Sequence, residues 1–488
     1  MKYALVIDQG TTSTRVIIYD ERGNAIFNEK KELKQIYPNI GYVEHDPMEI
    51  FNDTVELMET ALREVNIEYQ DIIGAGITNQ RETTVLWNKD TGLPIYNAIC
   101  WQSTQSEYIC EDLRNKGLEQ TINDKTGLVI NPYFSATKIR WILDNVDGAK
   151  KLMDEGKLMF GTIDTWLSYK LTGKHVTDYT NASRTMLFNI HDLKWDDELL
   201  NIFDINKNIL PEVIDSNKTV GIINIPNIKK YLDLELCALS GDQEASLVGH
   251  GAFYEGDIKI TYGTGSFMLL NTSEKPHKSN NGLITTIGYK INDKISYALE
   301  GSVFIAGAAF GFIRDNLEIV KKLNEDAFKK CESNGVIFVP TLTGLGAPYW
   351  NSECKGAILG LTRASSKEDI AFGTILGVSY LNYDVLKAME EDAKIKISQI
   401  SVDGGASLNK ILMQTEANIT NCKIMTLSTS EATSLGIFYL IGLNKGLFKS
   451  FSSIKKRYKM SNLYEPENKK YTVDYEKWKK AIKAIMEY

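Results

Sequence analysis

The segment ALVIDQGTTSTR, residues 4–15, ends an apolar run at Asp8 and crosses a glycine and four hydroxyl residues before it reaches Arg15. Apolar runs at 3–7 and 15–19 flank this loop, which predicts a strand, a loop and a second strand. Such a loop, rich in N–H and hydroxyl donors, can hold a polyphosphate while Asp8 attracts its magnesium ion. Arg15 would add a cation for a transferring phosphate. The alternative is an ordinary hydroxyl-rich turn.

The segment DIKITYGTGSFMLLNTS, residues 257–273, repeats this arrangement as a second apolar run, Gly/Thr/Ser loop and apolar run. We interpret the pair as a weak internal duplication, and two such loops that face each other would hold a nucleotide across a cleft. The sequence contains neither G-x-x-x-x-G-K-[ST] nor G-x-G-x-x-G. A nucleotide site here would therefore use hairpin loops and not a P-loop or a dinucleotide fingerprint.

Length and composition limit the function classes. A chain of 488 residues predicts two sizeable domains, and 43% hydrophobic with 24% charged residues is ordinary for a globular protein. The net charge of −8 argues against nonspecific nucleic-acid binding. Six scattered cysteines predict small core residues in a reducing cytosol, not a zinc site or a disulfide framework. No apolar run is long enough for a membrane span, so we expect a cytoplasmic protein.

Capping and periodicity signals predict an α/β class in which strands and helices alternate. Asp46 can cap a helix that starts at Pro47, and Glu49 would complete a capping box. Further helices are expected near 136–145 and 165–170. A strand at 72–77 leaves the polar TNQRE segment just beyond its end, where open α/β sheets carry ligands.

Asp242, in GDQEAS at residues 241–246, follows an apolar run and precedes a predicted helix. It could accept the proton of an alcohol that attacks a γ-phosphate. The alternative role is an N-cap aspartate.

Arg81 and Glu82 in TNQRETT could converge on a polyol, with Arg donating and Glu accepting hydrogen bonds. A surface ion pair is the alternative for these two residues. Trp101, Tyr133 and Phe134 could pack a small carbon chain, although aromatic residues at such spacing are more often part of the core.

The segment VDGGASLN, residues 402–409, predicts a third nucleotide element. Its two glycines would let backbone approach a ligand, and Asn409 could bond a base or ribose. A tight strand-to-helix turn capped by Ser407, with the helix starting near that residue, explains the same pattern.

Taken together and in this order, the segments resemble the glycerol-phosphorylating members of the FGGY carbohydrate kinase family over nearly the whole chain. The matching segments are DQGTTSTR, GYVEHDPMEI, GITNQRETT, YNAICWQ, TGLVINPYFSATKIRWILD, GTIDTW, VTDYTNASRTMLFNI, GDQEAS, YGTGSFMLLNT, YALEGSVFIAGAA, LTGLGAPYW and DGGASLN. The resemblance implies phosphorylation of glycerol to sn-glycerol 3-phosphate with ATP and Mg²⁺. It also implies a two-domain actin-like ATPase (ribonuclease H-like) fold with a central interdomain cleft.

The resemblance also assigns roles to matching positions. It implies that the first phosphate loop contacts ATP through Thr11, Thr12, Ser13 and Arg15, and that Asp8 is the carboxylate associated with magnesium. It implies that glycerol is bound by Arg81, Glu82, Tyr133, Asp242 and Gln243, with Asp242 as the base and with Trp101 and Phe267 as apolar walls. Further nucleotide contacts are implied at Thr264, Gly307, Gly405 and Asn409. Two positions depart from the family. Gln105 replaces a positive charge, and the nucleotide position Gly311 stands where relatives often carry a glutamine.

We expect domain one to span residues 1–248, with the polyol site and the first phosphate loop, and domain two to span 249–488, with most nucleotide contacts. Relatives form dimers and tetramers, so a homodimer or homotetramer is expected. One alternative function is that of a sister enzyme acting on a pentulose or another polyol. A second alternative, from another class, is a nucleotide-gated binding protein.

Overall fold

The computed structural model describes residues 1–229, 233–321, 328, 332–351, 353–428, 431–457 and 460–488. Its strands up to residue 241 are β1 Tyr3–Gln9, β2 Ser13–Asp20, β3 Ala25–Glu32, β4 Glu44–His45, β5 Ile72–Asn79, β6 Val85–Asn88, β7 Leu93–Pro94, β8 Ala98–Ile99, β9 Leu158–Gly161, β10 Val176–Asp178, β11 Phe188–Asn189, β12 Lys194–Trp195, β13 Glu212–Ile214, β14 Gly221–Ile222 and β15 Glu235–Gly241. The helices up to residue 249 are α1 Pro47–Glu64, α2 Glu107–Asn115, α3 Glu119–Thr126, α4 Ser135–Asn145, α5 Ala149–Asp154, α6 Ile163–Thr172, α7 Tyr179–Ala182, α8 Asp197–Phe203, α9 Pro226–Lys229 and α10 Asp242–Gly249.

The remaining strands are β16 Ile258–Tyr262, β17 Ser266–Ser273, β18 Ile284–Ile291, β19 Lys294–Val303, β20 Ile337–Val339, β21 Ala357–Leu359, β22 Gln399–Gly404, β23 Lys423–Leu427 and β24 Met460–Tyr464. The remaining helices are α11 Gly307–Asp315, α12 Lys367–Ala393, α13 Lys410–Thr420, α14 Ala432–Asn444, α15 Phe451–Lys455 and α16 Tyr475–Glu487. Short 3₁₀ turns occupy Tyr69–Asp71, Lys207–Ile209 and Gly405–Leu408.

The two large sheets have the same arrangement of strands around their first hairpin. The first has the order β14-β15-β5-β1-β2-β3, with β1 antiparallel to β2 and parallel to β5, which is parallel to β15. The second has the order β18-β19-β17-β16-β22-β23-β24, with β16 antiparallel to β17 and parallel to β22, which is parallel to β23. The predicted duplication is confirmed, because each half builds a hairpin and then adds parallel strands beside its first strand.

Helices α10 and α14 join the two halves. Helix α14 packs against β1 and β5 of the first sheet, while α10, which follows β15 directly, also contacts β16 and β18 of the second sheet. A Cβ on Gly249 would overlap the carbonyl oxygen of Ala432, and one on Gly436 would overlap that of Ala245. The two helix backbones are therefore in direct contact at their crossing, which only glycine permits.

Several local predictions are confirmed and two are wrong. Asp46 caps α1 by accepting from the N–H of Met48, but Glu49 accepts from the N–H of Lys34 and forms no capping box with Asp46. Strand β5 and helices α4 and α6 lie where the sequence predicts them. The helix expected near Ser407 begins at Lys410, because a 3₁₀ turn comes first.

The cysteines that the structure describes are small core residues, as predicted, while the cytosolic setting stays a prediction. Five cysteines, all but Cys331, are buried and free of disulfides, whereas Cys331 lies outside the described residues. Among the helices of the described ranges, none combines the length and the apolar character that a bilayer span needs. The division at residues 248 and 249 stays a prediction.

Candidate active site

Asp8 and Asp242 lie at the same edge of the first sheet. The register pairs Asp8 of β1 with Thr78 of β5, and Asn79 of β5 with Gly241 of β15, immediately before Asp242. The carboxyl ends of the three strands are thus level, and two strand spacings separate the outer pair by about 10 Å. The polar ends of β1, β5 and β15 consequently surround one region.

The first hairpin is closed by the N–H of Gly10, which donates to the carbonyl of Ser13 at 2.9 Å. Thr12, at its tip, is exposed. Arg15 lies opposite Asp8 across the β1–β2 ladder and donates to that carboxylate at 2.5 Å. Its other Nη atom forms an ion pair with Glu431, just before α14. Arg15 therefore bridges two carboxylates from opposite halves of the chain.

The second hairpin lies against the start of helix α11. The carbonyl of Thr264 accepts from the N–H groups of Ala306 and Ala308 at 2.9 and 3.0 Å. A Cβ at Gly307 would overlap the carbonyl oxygen of Gly263, so the helix could not approach the loop with any other residue there. The structure brings Thr264 and Gly307 together, and helix N-termini favour anions.

The third loop follows β22, which runs parallel to β16 and pairs Gly404 with Tyr262. Gly405 is exposed and has open space around its Cα. Asn409 caps α13, because its Oδ1 accepts from the N–H groups of Ile411 and Leu412 at 3.0 and 3.1 Å. The cap predicted for Ser407 thus belongs to Asn409, whose amide oxygen is already occupied. Gly311, one turn into α11, is half-buried beside open space.

Arg81 is the centre of a buried charge cluster. Its Nη1 donates to Glu244 at 2.9 Å and to Glu300 at 2.6 Å, and its Nη2 donates to Glu300 at 3.0 Å and to Tyr133 at 3.3 Å. Its Nε lies 3.3 Å from the carboxylate of Asp242. Burial raises the pKa of Glu244, and the nearby Glu300 raises it further, while the two arginines around Glu300 hold its pKa low despite burial. The alternative of a surface ion pair between Arg81 and Glu82 is wrong, because both side chains are buried.

Arg184 is the second buried cation of this cluster. Its Nε donates to Glu82 at 2.6 Å and its Nη2 to Glu300 at 3.1 Å, and its guanidinium lies over the ring of Tyr133 at 5.5 Å. Glu82 has a φ of 60°, which non-glycine residues rarely adopt. The hydroxyl of Ser135 donates to its carbonyl at 3.1 Å. The surrounding contacts thus hold Glu82 in a strained backbone conformation at the site.

Asp242 is the first residue of α10 and not its cap, which is Gly241. Its side chain is 34% exposed, so it is the open member of an otherwise buried cluster. Desolvation raises its pKa above the ordinary carboxyl value, while Arg81 and Lys259 act in the opposite direction. A carboxylate in this position can accept a proton near neutral pH.

The aromatic residues connect the first hairpin to the charge cluster. The indole N–H of Trp101 donates to the hydroxyl of Thr11 at 2.9 Å, and its ring lies edge-on to that of Tyr133 at 5.5 Å. Phe134 is fully buried, which agrees with the alternative that this aromatic residue is part of the core. Phe267 pairs with Thr261 across the second sheet and therefore lies on the same face as that residue.

Several residues of this site had no signal of their own in the sequence. They are Arg184, Glu244, Lys259, Glu300 and Glu431. All but Glu431 do lie within quoted segments, namely Arg184 in VTDYTNASRTMLFNI, Glu244 in GDQEAS, Lys259 in DIKITYGTGSFMLLNTS and Glu300 in YALEGSVFIAGAA. Gln105 is buried beneath the Trp101 loop, where its Oε1 accepts from Ser103 at 2.7 Å. It forms no contact with the Arg81 cluster among the described hydrogen bonds.

Comparison with known proteins agrees with this geometry. Residues 3–249 match the FGGY family of carbohydrate kinases, N-terminal domain, and residues 258–443 match the C-terminal domain of the same family. Glycerol kinase 1 of Clostridium tetani is 48% identical over 494 residues, covering 100% of this chain and 99% of the relative. A glycerol kinase of Listeria monocytogenes is 47% identical with the same coverage.

Solved structures give the same assignment. The crystal structure of Plasmodium falciparum glycerol kinase with ADP superposes with a TM-score of 0.94 at 36% identity, covering 100% of this chain and 98% of that one. A ligand-bound xylulose kinase of Lactobacillus acidophilus superposes at 0.88 with 25% identity, covering 100% and 97%. The fold is that of the two-domain actin-like ATPases, as expected. The chain belongs to the FGGY family of carbohydrate kinases.

Proposed function

We propose that this protein transfers the γ-phosphate of ATP to glycerol and forms sn-glycerol 3-phosphate and ADP. The observation that carries the proposal is the half-open carboxylate of Asp242 at the rim of the Arg81 cluster, level with the phosphate hairpin of β1. The full-length relatives named glycerol kinase support glycerol as the acceptor.

Glycerol would bind beside Arg81, at its loose contacts with Asp242 and Tyr133. The distances from its guanidinium to Asp242 and to Tyr133 are both 3.3 Å, and hydroxyl groups of a polyol can replace such loose contacts. Trp101 and Phe267 would then cover the carbon chain. Glu82 and Gln243 would supply the remaining polar contacts.

Asp242 would act as the general base. It takes the proton of the attacking hydroxyl while the hydroxyl oxygen bonds to the γ-phosphorus and the bond to the β,γ-bridging oxygen breaks, which releases ADP. Arg81 and Arg184 hold the surrounding carboxylates in place. Closure of the two domains would exclude water and so limit hydrolysis of ATP.

ATP would lie between the two hairpins, with contacts from Thr11, Thr12, Ser13 and Arg15 on one side and from Thr264, Gly307, Gly311, Gly405 and Asn409 on the other. Asp8 fits a magnesium ion that ATP carries, because Mg²⁺ combines one or two carboxylates with phosphate oxygens and water. When bound, the ion neutralises developing phosphate charge. Arg15 would have to exchange its contact with Asp8 for a phosphate.

A polyol panel tests the substrate. Purified protein with MgATP is offered glycerol, xylulose, ribulose and erythritol in a coupled ADP assay, and we expect the highest kcat/KM for glycerol. A higher value for a pentulose would assign the protein to the sister activity that the xylulose kinase neighbour represents. Absence of turnover with every polyol would favour a nucleotide-gated binding protein.

The surroundings of the enzyme are also part of this proposal. We place it in the cytoplasm, where ATP is available, as a homodimer or homotetramer. Light scattering coupled to size exclusion measures the assembly, and a monomer at micromolar concentration would contradict it.

Limited proteolysis tests the domain division, with cleavage between residues 249 and 257 expected.

A further inference from the structure

Lys259 is a fully buried lysine on β16 that no step of the proposed reaction uses. Its Nζ donates to the side-chain oxygen of Gln243 at 2.5 Å and to the hydroxyl of Thr261 at 3.0 Å. Within the described ranges no ion pair includes it, although the carboxylates of Asp403, Asp242 and Glu300 act on its charge from a greater distance. Burial lowers its pKa to about 8. A buried ammonium without a direct counter-ion is costly and calls for a reason.

The contact determines which way the Gln243 amide points. An ammonium only donates hydrogen bonds, so the amide oxygen must face Lys259 and the NH₂ group must turn away from it. In the described part of the chain, Nε2 of Gln243 has no hydrogen-bond partner and is not enclosed. Gln243 follows Asp242 in the first turn of α10, and the charge of Lys259 acts on Asp242 as well, so this free donor belongs to the same site as the open carboxylate.

The ammonium itself is held in place. Thr261 accepts from Lys259 and also contacts Ser246 of α10 at 3.1 Å, so β16 and α10 are joined at Gln243 and again one turn later at Ser246. Rotation of the amide would bring its NH₂ group against a positive charge. The orientation of Gln243 is therefore fixed before any ligand binds.

We propose that Lys259 is a positioning residue that makes Gln243 a hydrogen-bond donor to a hydroxyl oxygen of the polyol. It acts through Gln243 and contributes to the selection of a substrate with an acceptor oxygen at that point. This inference rests on the proposed polyol kinase activity and specifies one contact of its site.

A double-mutant cycle tests whether Lys259 acts through Gln243. The variants are Lys259→Met, Gln243→Leu and the combination, with KM for glycerol and kcat measured separately. We expect each single change to raise KM at least tenfold with a smaller change in kcat, and the double variant to be no worse than Gln243→Leu alone. An unchanged KM in Lys259→Met would overturn the inference. So would a double variant in which Lys259→Met raises KM by the same factor as it does when Gln243 is intact.

Thr261→Val is the matched control. It removes one of the two contacts that hold the ammonium but keeps the ammonium and its contact with Gln243, so KM should rise clearly less than in Lys259→Met. A rise as large as that of Lys259→Met would mean that local packing carries the effect, and would also overturn the inference. Lys259→Arg keeps donors and charge and should hold KM within a fewfold of the unmodified protein.

Thermal unfolding shows whether Lys259→Met folds. If Lys259→Met does not fold, the variant Gln243→Glu tests the inference instead. Its carboxylate would pair with Lys259 and present no N–H donor to the polyol. A tenfold rise in KM is then expected, and an unchanged KM would overturn the inference. If the unmodified protein phosphorylates another polyol and not glycerol, the proposed substrate fails, and the same cycle is measured with that polyol.

Discussion

Glu300 accepts two hydrogen bonds from the guanidinium of Arg81, at 2.6 and 3.0 Å, and both side chains are buried. Arg81 follows β5 of the first sheet, whereas Glu300 lies on β19 of the second. One ion pair therefore joins the two halves of the protein at the place where the polyol is proposed to bind. Arg184 donates to the same carboxylate, so Glu300 serves two cations.

The first prediction concerns this link. Glu300→Gln removes a buried charge that two arginines share, and breaking such a pair costs about 3 kcal/mol of stability. We also expect KM for glycerol to rise at least tenfold, because Arg81 loses its orientation. Urea unfolding and steady-state kinetics measure the two effects. Glu107→Gln, at the partly exposed pair with Arg114, is the matched control and should change stability by less than about 1 kcal/mol.

The second prediction concerns Asp242, the proposed general base. Asp242→Asn keeps the shape of the side chain but removes the proton acceptor, so kcat should fall by about 10²–10⁴-fold. Calorimetric titration should show that glycerol still binds. Loss of glycerol binding together with a normal residual rate would contradict the assignment of Asp242 as the base.

The third prediction concerns the β16–β17 hairpin, which is proposed to contact the nucleotide. Gly307→Ala would force the start of α11 away from the carbonyl of Gly263, which displaces Thr264. We expect KM for ATP to rise at least tenfold while glycerol binding, measured by calorimetry, stays unchanged. Gly221→Ala on the edge strand β14 meets only ordinary contacts and should leave both constants as they are. An unaltered KM for ATP would remove Gly307 from the nucleotide site.

The fourth prediction concerns stability and pH. The carboxylate of Asp384 on α12 accepts from the hydroxyls of Tyr349 and Tyr475 and from the indole of Trp478, at 2.9, 2.7 and 2.7 Å. Burial nevertheless raises its pKa to about 6, because desolvation outweighs these bonds. A pKa raised on folding stabilises the protein at low pH, and that contribution is lost as the pH rises through about 6.

The stability advantage of the unmodified protein over Asp384→Asn should therefore shrink by roughly 2 kcal/mol between pH 4 and pH 7.5. Urea unfolding across this range measures it, with the surface change Asp192→Asn as the reference for general pH effects. A constant difference between the two proteins at all pH values would contradict the raised pKa of Asp384.

Short-range patterns in the sequence determined the secondary-structure elements and showed which of the central strands end in polar residues. Alternation and apolar runs specify β1, β2 and β5, and the Asp46 cap specifies the start of α1, because these signals depend on neighbours two to four residues apart. Short-range signals of the same kind predicted that Asp8, Arg81 and Asp242 lie at strand ends. Glu49 shows the limit of such signals, since its partner Lys34 is 15 residues away and is brought near only in the folded chain, whereas Ser407 donates to the carbonyl of Gly404 within its own turn.

Tertiary structure alone decided which charges meet. Arg81 and Glu300 are 219 residues apart, and Arg184 and Glu82 are 102 apart, so no spacing in the sequence connects them. The contact between Arg81 and Glu300 exists because α10 and α14 join two sheets of the same topology and bring β19 against the end of β5, whereas Arg184 meets Glu82 within the first half of the chain. A buried ion pair needs desolvation and exact complementarity of position, and packing of the two halves provides both.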